Sequence, residues 1–267
     1  QVDLNELSSI WDDATPNLIN FIDYNIHDAK LSYLLVEKML PNISEMVKIT
    51  GLTMFDVTRM GYSQLVEWYL LKQAPDYNQI APNKPREAEL LKRKASHIQG
   101  AFVFEPKAGL YNDIVIFDYL SLYPTIIGSH NLSGETVRFG QITEDDAKTV
   151  PLDGNPFWIS QRKRGFLPEM IEGIIRRRME IKKEIEHAQG ERVIILDARQ
   201  YSLKLLANAF YGYLGFYAAR WYSREAAEAT TAFGRYYIKK VIGTAQEKGF
   251  SVIYSDTDSV FLTLGSK

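Results

Sequence analysis

The sequence predicts an α+β protein, with helices and strands kept in separate runs of the chain. Helical periodicity fills roughly the first third. A proline-rich break follows, and β-branched and aromatic runs begin at Ala101. With 267 residues, 46% hydrophobic and 12% aromatic, the chain has material for one large domain or two modest ones. Roughly three quarters of the unfolded surface can be buried at this size, so disorder is excluded as the main state.

Residues 28–40 carry Leu31, Leu34, Leu35 and Met39 at helical spacing, and Pro41-Asn42 is expected to end that helix. A second helical stretch covers residues 54–72. Residues 74–85 hold three of the ten prolines among Asn, Asp and Gln, which predicts a linker, with a domain boundary before Gly100. Strands are expected at 101–104 and at 113–118, the latter stopping at Asp118 and entering Ser121-Leu-Tyr-Pro124, where Pro124 suits the first turn of a helix. Helices follow at 168–187, 197–213 and 221–248, the last ended by Gly249. Residues 251–254, 255–259 and 260–264 read as strand, acidic turn, strand. No internal repeat or low-complexity segment interrupts this order.

The absence of cysteine excludes disulfides, thiolate metal sites and a cysteine nucleophile, leaving carboxylates and four histidines as side-chain metal ligands. No apolar run approaches the roughly 18 residues that span a bilayer, and the N-terminal residues carry no signal-like pattern, so a soluble intracellular protein without a membrane partner is expected. The net charge of −2 conceals segregation. Residues 1–28 hold six acids and no Lys or Arg, whereas residues 161–183 hold eight bases against Glu169, Glu172 and Glu180. A field segregated in this way suits a polyanion site, although a solvated helix face would look the same.

Asp118 ends one predicted strand, and Asp256 and Asp258 lie in the turn between two others. Were these strands neighbours, carboxylates from remote parts of the chain would meet at one sheet edge without imidazole or thiol. Such an all-oxygen set suits Mg²⁺. Two ions about 3.5–4 Å apart would serve phosphoryl transfer. Asp-Thr-Asp alone is also an ordinary turn composition. Arg178 and Lys182 are four apart on one predicted helix, and Lys204, Asn208 and Tyr211 share a face of the next. Together they could clamp a triphosphate or form a salt-bridged surface hairpin.

Three runs resemble the polymerase motifs of B-family DNA polymerases, in matching order and separation: Asp118-Tyr-Leu-Ser-Leu-Tyr-Pro-Thr-Ile-Ile127, Lys204-Leu-Leu-Ala-Asn-Ala-Phe-Tyr-Gly212 and Tyr254-Ser-Asp-Thr-Asp-Ser259. Gly165-Phe-Leu-Pro168 and Leu196-Asp-Ala-Arg-Gln200 give the resemblance an archaeal character. It implies a right-hand palm with an antiparallel sheet at 101–160 and 214–267, two-helix fingers at 161–213, and the end of a 3′→5′ exonuclease domain with linker helices at 1–100. By the same resemblance Asp118 and Asp258 would ligate two Mg²⁺ ions, with Mn²⁺ as a substitute. The Tyr119 carbonyl would help, and Asp256 would act less directly. Arg178, Lys182 and Lys204 would hold the triphosphate of an incoming deoxynucleotide, aided by backbone N–H groups near Ser121 and Leu122. Tyr123 would exclude a 2′-hydroxyl, and Asn208, Tyr211 and Gly212 would line the nascent base pair.

Tyr24-Asn-Ile-His-Asp28 is similar to the family's third exonuclease motif, with Asp28 as a ligand and Tyr24 orienting water. The carboxylates of the two earlier motifs would precede Gln1, so proofreading is not expected to be complete here. Ala209 stands where the family usually has Ser, and Ser255 where it often has Gly. Ile98-Gln-Gly-Ala101 lacks the Tyr of the usual linker motif between the two activities. The sequence stops soon after the third motif, so a thumb would come from a further segment or a second polypeptide. Primer–template DNA is the expected substrate, a sliding clamp a further partner, and the cytoplasm or nucleoid the expected place in a prokaryote, the nucleus otherwise. The competing readings are a non-catalytic paralogue of the same fold and a two-metal nuclease or phosphatase; the latter has no use for Tyr123 or the basic clamp.

Overall fold

The chain is described by a computed structural model covering residues 7–12, 18–152, 154 and 157–263. Helices α1 (Leu7–Asp12), α2 (Leu18–Thr50), α3 (Met54–Val57), α4 (Tyr62–Gln73) and α5 (Glu87–Lys94) come first, with a 3₁₀ turn at Ala74–Tyr77. Strands β1 (Val103–Phe104) and β2 (Ile114–Asp118) lead into α6 (Leu122–Ser129). Then come β3 (Val137–Phe139), β4 (Lys148–Thr149) and β5 (Phe157–Ile159), the long helices α7 (Phe166–Ile185), α8 (Glu191–Leu214) and α9 (Arg224–Glu247), and the hairpin β6 (Ser251–Asp256) and β7 (Ser259–Thr263). Leu264, the last residue of the predicted strand, lies outside the described residues.

The expected α+β class holds, and both sheets are antiparallel. The larger has strand order β1-β6-β7-β2, so the strand before α6 sits beside the C-terminal hairpin across most of the sequence. Helix α9 covers one face of it, packing Ile238, Ile242 and Ala245 against Val260 and Leu262. The main core lies where α6, α7, α8 and α9 meet, around Ile127, Ile171, Leu206, Phe210 and Tyr213. A second sheet, order β3-β5-β4, closes this core through Val137, Phe157 and Ile159.

Several elements depart from expectation. Helix α2 runs straight through Pro41 for 33 residues. Proline removes one intrahelical hydrogen bond, a local loss that tertiary packing can outweigh. Beyond Pro41, Glu45, Met46 and Thr50 are buried, and Ser202 of α8 donates to the Asn42 carbonyl at 3.2 Å. Leu31, Leu34, Leu35 and Met39 are helical as read, yet all four are exposed. The stretch 54–72 divides into α3 and α4, each with its own start at Thr53 and Gly61. The predicted linker is followed by α5, and α8 begins six residues before the expected Asp197.

Candidate active site

The register of the larger sheet brings the acidic residues together. Asp118 at the end of β2 and Asp256 at the end of β6 both stand opposite Ser259 of β7. Between them the tight turn puts Thr257 in the left-handed region, at φ 53°, a conformation that costs a β-branched residue energy and persists where surroundings impose it. The turn is pinned by Asp258 N–H to the Asp256 carbonyl at 2.6 Å, Thr257 N–H to the Phe102 carbonyl at 3.2 Å, and Tyr119 N–H to the Asp258 carbonyl at 2.9 Å. The last of these bonds ties the first motif directly to the third.

The carboxylates differ in their surroundings. Both oxygens of Asp256 accept hydrogen bonds, from Thr257 Oγ1 at 2.9 Å and Tyr254 OH at 3.3 Å. Asp118 and Asp258 have no cationic partner among the described residues. Burial, then the neighbouring Asp118 carboxylate, raises the Asp258 pKa above its ordinary value, and Asp256 adds to this. Repulsion of this kind is what a cation relieves. Two unpaired carboxylates with a nearby backbone carbonyl fit a hard divalent ion completed by substrate oxygens. No three carboxylates form a metal-holding group among the described residues, and both oxygens of Asp256 are already engaged by Tyr254 and Thr257.

Asp118, Tyr119, Ser121, Leu122, Tyr123 and Asp258 line a cavity of about 380 Å³ together with Arg178, Lys204 and Asn208. Ser121, at the N-cap of α6, is also left-handed (φ 52°), which turns the chain from strand end into helix start. The first turn of α6 leaves N–H groups without intrahelical acceptors, so it presents donors and partial positive charge. Arg178 is only 9% exposed and has no carboxylate partner among the described residues. Neutral groups hold it: Nε donates to Gln200 Oε1 at 3.2 Å and Nη1 to Ser121 Oγ at 3.5 Å. Burial lowers its pKa below the ordinary value, without bringing it near neutrality.

The segment that bears these residues is also what comparison with known proteins picks out. The family model described as DNA polymerase family B matches residues 52–267. The chain belongs to DNA polymerase family B. It is 38% identical to a DNA polymerase of Thermococcus gorgonarius over 261 residues, 97% of this chain and 33% of that relative. A DNA polymerase of Archaeoglobus fulgidus is 38% identical over 244 residues, 91% of this chain and 30% of the relative. The structure of the family B DNA polymerase from the hyperthermophilic archaeon Pyrobaculum calidifontis superposes over the whole chain with a TM-score of 0.82 at 30% identity, using 34% of that chain. This chain thus spans about a third of the length of these relatives. The resemblance read from three motifs, including its archaeal character, is borne out.

Within the family B chain, the remaining expected site residues divide. Tyr211 packs behind the cavity on Tyr123, ring centroids 4.5 Å apart. Lys182, one turn beyond Arg178 on α7, and Gly212 do not line the cavity. Tyr24 and Asp28 lie together on exposed α2 beside a different cavity, formed with Trp11 and Phe21 and sharing no residue with the Asp118 cavity. The Gln99-Gly100 segment is clamped to α9, with Thr231 Oγ1 donating to the Gln99 carbonyl at 2.8 Å and Arg235 Nη1 to that of Gly100 at 2.7 Å. Gln200 was missed as a site residue. Its place four residues before Lys204, on the same helical face, is the signal that marks it.

Proposed function

We propose that this chain carries the catalytic centre for template-directed DNA synthesis. The supporting observation is one cavity lined both by carboxylates without a cationic partner, Asp118 and Asp258, and by cations without a carboxylate partner, Arg178 and Lys204, among the described residues. In isolation each pair is an electrostatic liability. A magnesium-bound nucleoside triphosphate complements both. Asp118 and Asp258, with the Tyr119 carbonyl, would hold two Mg²⁺ or Mn²⁺ ions, and Asp256 would stabilise the turn that presents them. When bound, such ions help to activate an attacking hydroxyl and neutralise charge on phosphate oxygens.

The rest of the task falls to the chain's own groups. The Arg178 guanidinium and Lys204 ammonium, with the α6 N–H groups, would grip the triphosphate so that the primer 3′-oxygen attacks the α-phosphorus and pyrophosphate leaves. Lys182 would join from the outer end of α7 when a nucleotide is present. Tyr123 would lie under the sugar where a 2′-hydroxyl has no room, and Asn208, Tyr211 and Gly212 would face the new base pair. Residues 101–160 and 214–267 would then act as palm, 161–213 as fingers, and 1–100 as the end of an exonuclease domain with its linker.

Single-nucleotide addition to a primer–template, measured with Mg²⁺ for the wild type and alanine variants, tests this reading. Asp118→Ala and Asp258→Ala should abolish addition with the melting temperature kept or raised, because each removes like-charge repulsion from the unliganded fold. Asp256→Ala should retain more activity than either. Retention of more than about a tenth of the wild-type rate by Asp258→Ala would overturn the assignment, since loss of a ligand that neutralises reacting oxygens costs several kcal/mol.

A further inference from the structure

A second cationic cavity lies on the opposite side of the α7–α8 pair. Its volume is about 210 Å³, and its walls come from four helices: Glu45, Lys48 and Ile49 of α2, Tyr69 and Lys72 of α4, Gly173, Ile174 and Arg177 of α7, and Arg199 and Leu203 of α8. At one point on each long helix, adjacent residues divide between the cavities. Arg178 faces the nucleotide side and Arg177 the other; Lys204 faces the nucleotide side and Leu203 the other. Four cations and one acid meet here.

The acid is fully engaged. Glu45 is buried and accepts from Arg199 Nε at 2.6 Å and from Lys48 Nζ at 2.6 Å. Burial alone would raise its pKa, but these two bonds outweigh it and hold the carboxyl below its ordinary value. It therefore stays charged and compensates part of the positive charge. Lys72 Nζ donates only to carbonyls at the C-terminal end of α2, to Ile49 at 3.1 Å and to Lys48 at 3.5 Å. Arg177 forms no ion pair among the described residues and acts electrostatically on Tyr69. On the α7 wall Gly173 leaves open space where a Cβ would project. The cavity thus combines two cations without a carboxylate partner among the described residues, Arg177 and Lys72, with room for several waters' worth of ligand, a water's share being about 30 Å³.

We propose that this cavity is a second phosphate-binding site, distinct from the triphosphate cradle, in which Arg177, Lys72, Arg199 and Lys48 receive a phosphate group and thereby brace α7 and α8 against α2 and α4. The phosphate is either free, as inorganic phosphate or pyrophosphate, or part of a DNA backbone. Guanidinium and ammonium donors on a compact dianion are the chemistry that such a cluster selects.

The test uses the full 267-residue chain without divalent metal. Melting temperature is followed against pyrophosphate, inorganic phosphate and chloride at matched ionic strength, and anisotropy against a labelled single-stranded 12-mer with and without competing pyrophosphate. Pyrophosphate should stabilise saturably, and Arg177→Gln and Lys72→Gln should each weaken this about tenfold or more, while Lys204→Ala leaves it intact. Circular dichroism of both Gln variants establishes that they fold. Displacement of the 12-mer by pyrophosphate, lost in Arg177→Gln, assigns the site to backbone phosphate; saturable pyrophosphate binding without displacement assigns it to free phosphate. Stabilisation no greater than that by chloride overturns the proposal. So does stabilisation that Lys204→Ala removes and Arg177→Gln does not, which would place the phosphate in the nucleotide cavity instead.

Discussion

Tyr123 is fixed from two sides before any substrate arrives. Its ring lies on Tyr211, tilted by 43°, and its edge meets Gly234 of α9, where a Cβ would stand 3.0 Å from Cε1. Burial first, then Tyr211 and Asp258, pushes its pKa up to about 12. The phenol accordingly stays protonated near neutral pH and gives the site a wall rather than a base. Tyr123→Ala should remove that wall and raise ribonucleotide use relative to deoxynucleotide use by about 100-fold, the scale on which a shaped pocket rejects an added hydroxyl. Gly234→Ala should do something different. A methyl at that distance forces the ring to give by a few tenths of an ångström without removing it, so with Tyr123 under the sugar as proposed, deoxynucleotide affinity should fall with no gain in ribonucleotide use. Steady-state kcat/KM for both sugars separates the two variants, and unchanged sugar discrimination in Tyr123→Ala would remove the residue from the role.

At the level of elements, the contact between α6 and α9 carries a pH signature. His130 follows the last turn of α6, stacks on Phe233 of α9 at 3.7 Å, and its Nε2 lies 2.8 Å from Tyr237 OH. Burial, with Lys148 adding to it, pushes its pKa down to about 4 from an ordinary 6.5. Between those values the unfolded chain binds the extra proton. The imidazole's contribution to stability is therefore complete above pH 6.5 and is lost as pH falls toward 4, by about 2 kcal/mol for a shift of this kind at a half-buried site. Urea midpoints at pH 7.5 and pH 5 should differ more for the wild type than for His130→Phe; equal differences would count against the shift. The same level explains what was legible in the sequence. The motif residues could be read because strand ends, a tight turn and one helical face fix their relative positions locally. Pro41 misled because local propensity was outweighed by burial of Glu45 and Met46 little more than one turn later. Helix α5 could not be read because none of its residues is buried; it is held instead by Arg93 donating to the carbonyls of Tyr217 and Ala219, contacts more than 120 residues away in sequence.

For the whole molecule, the larger sheet is covered by α9 at its centre and left open at the β2 edge. Helix α9 covers one face at β7, whereas Ile114, Val115, Ile116 and Phe117 of edge strand β2, whose side chains point alternately to the two faces, are all 39–57% exposed, so this edge is uncovered on both faces. An apolar edge strand of this length invites pairing or cover. The basic run on α7 points the same way. Arg164 pairs with Glu172 and Arg162 with Glu144, but Arg176, Arg177, Lys182 and Lys183 form no ion pair among the described residues, so cationic surface remains for a polyanion. Chemistry and duplex grip would be separable under the proposed function, since the proposed carboxylates and nucleotide cradle lie in one cavity while grip depends on the number of phosphates contacted. Each contact adds about 0.9 to the slope of log affinity against log salt. The 267-residue chain should therefore add a nucleotide at low salt and lose primer–template steeply as salt rises, whereas a polypeptide carrying the parts of its longer relatives that this chain does not span should cover β2, supply further phosphate contacts and restore extension at physiological salt. Primer extension and duplex affinity measured with and without that polypeptide, from 50 to 200 mM salt, check both halves, and hydrogen exchange at residues 114–118 reports the cover. Processive synthesis by the chain alone at 200 mM salt would mean that the grip is already built into the residues described here.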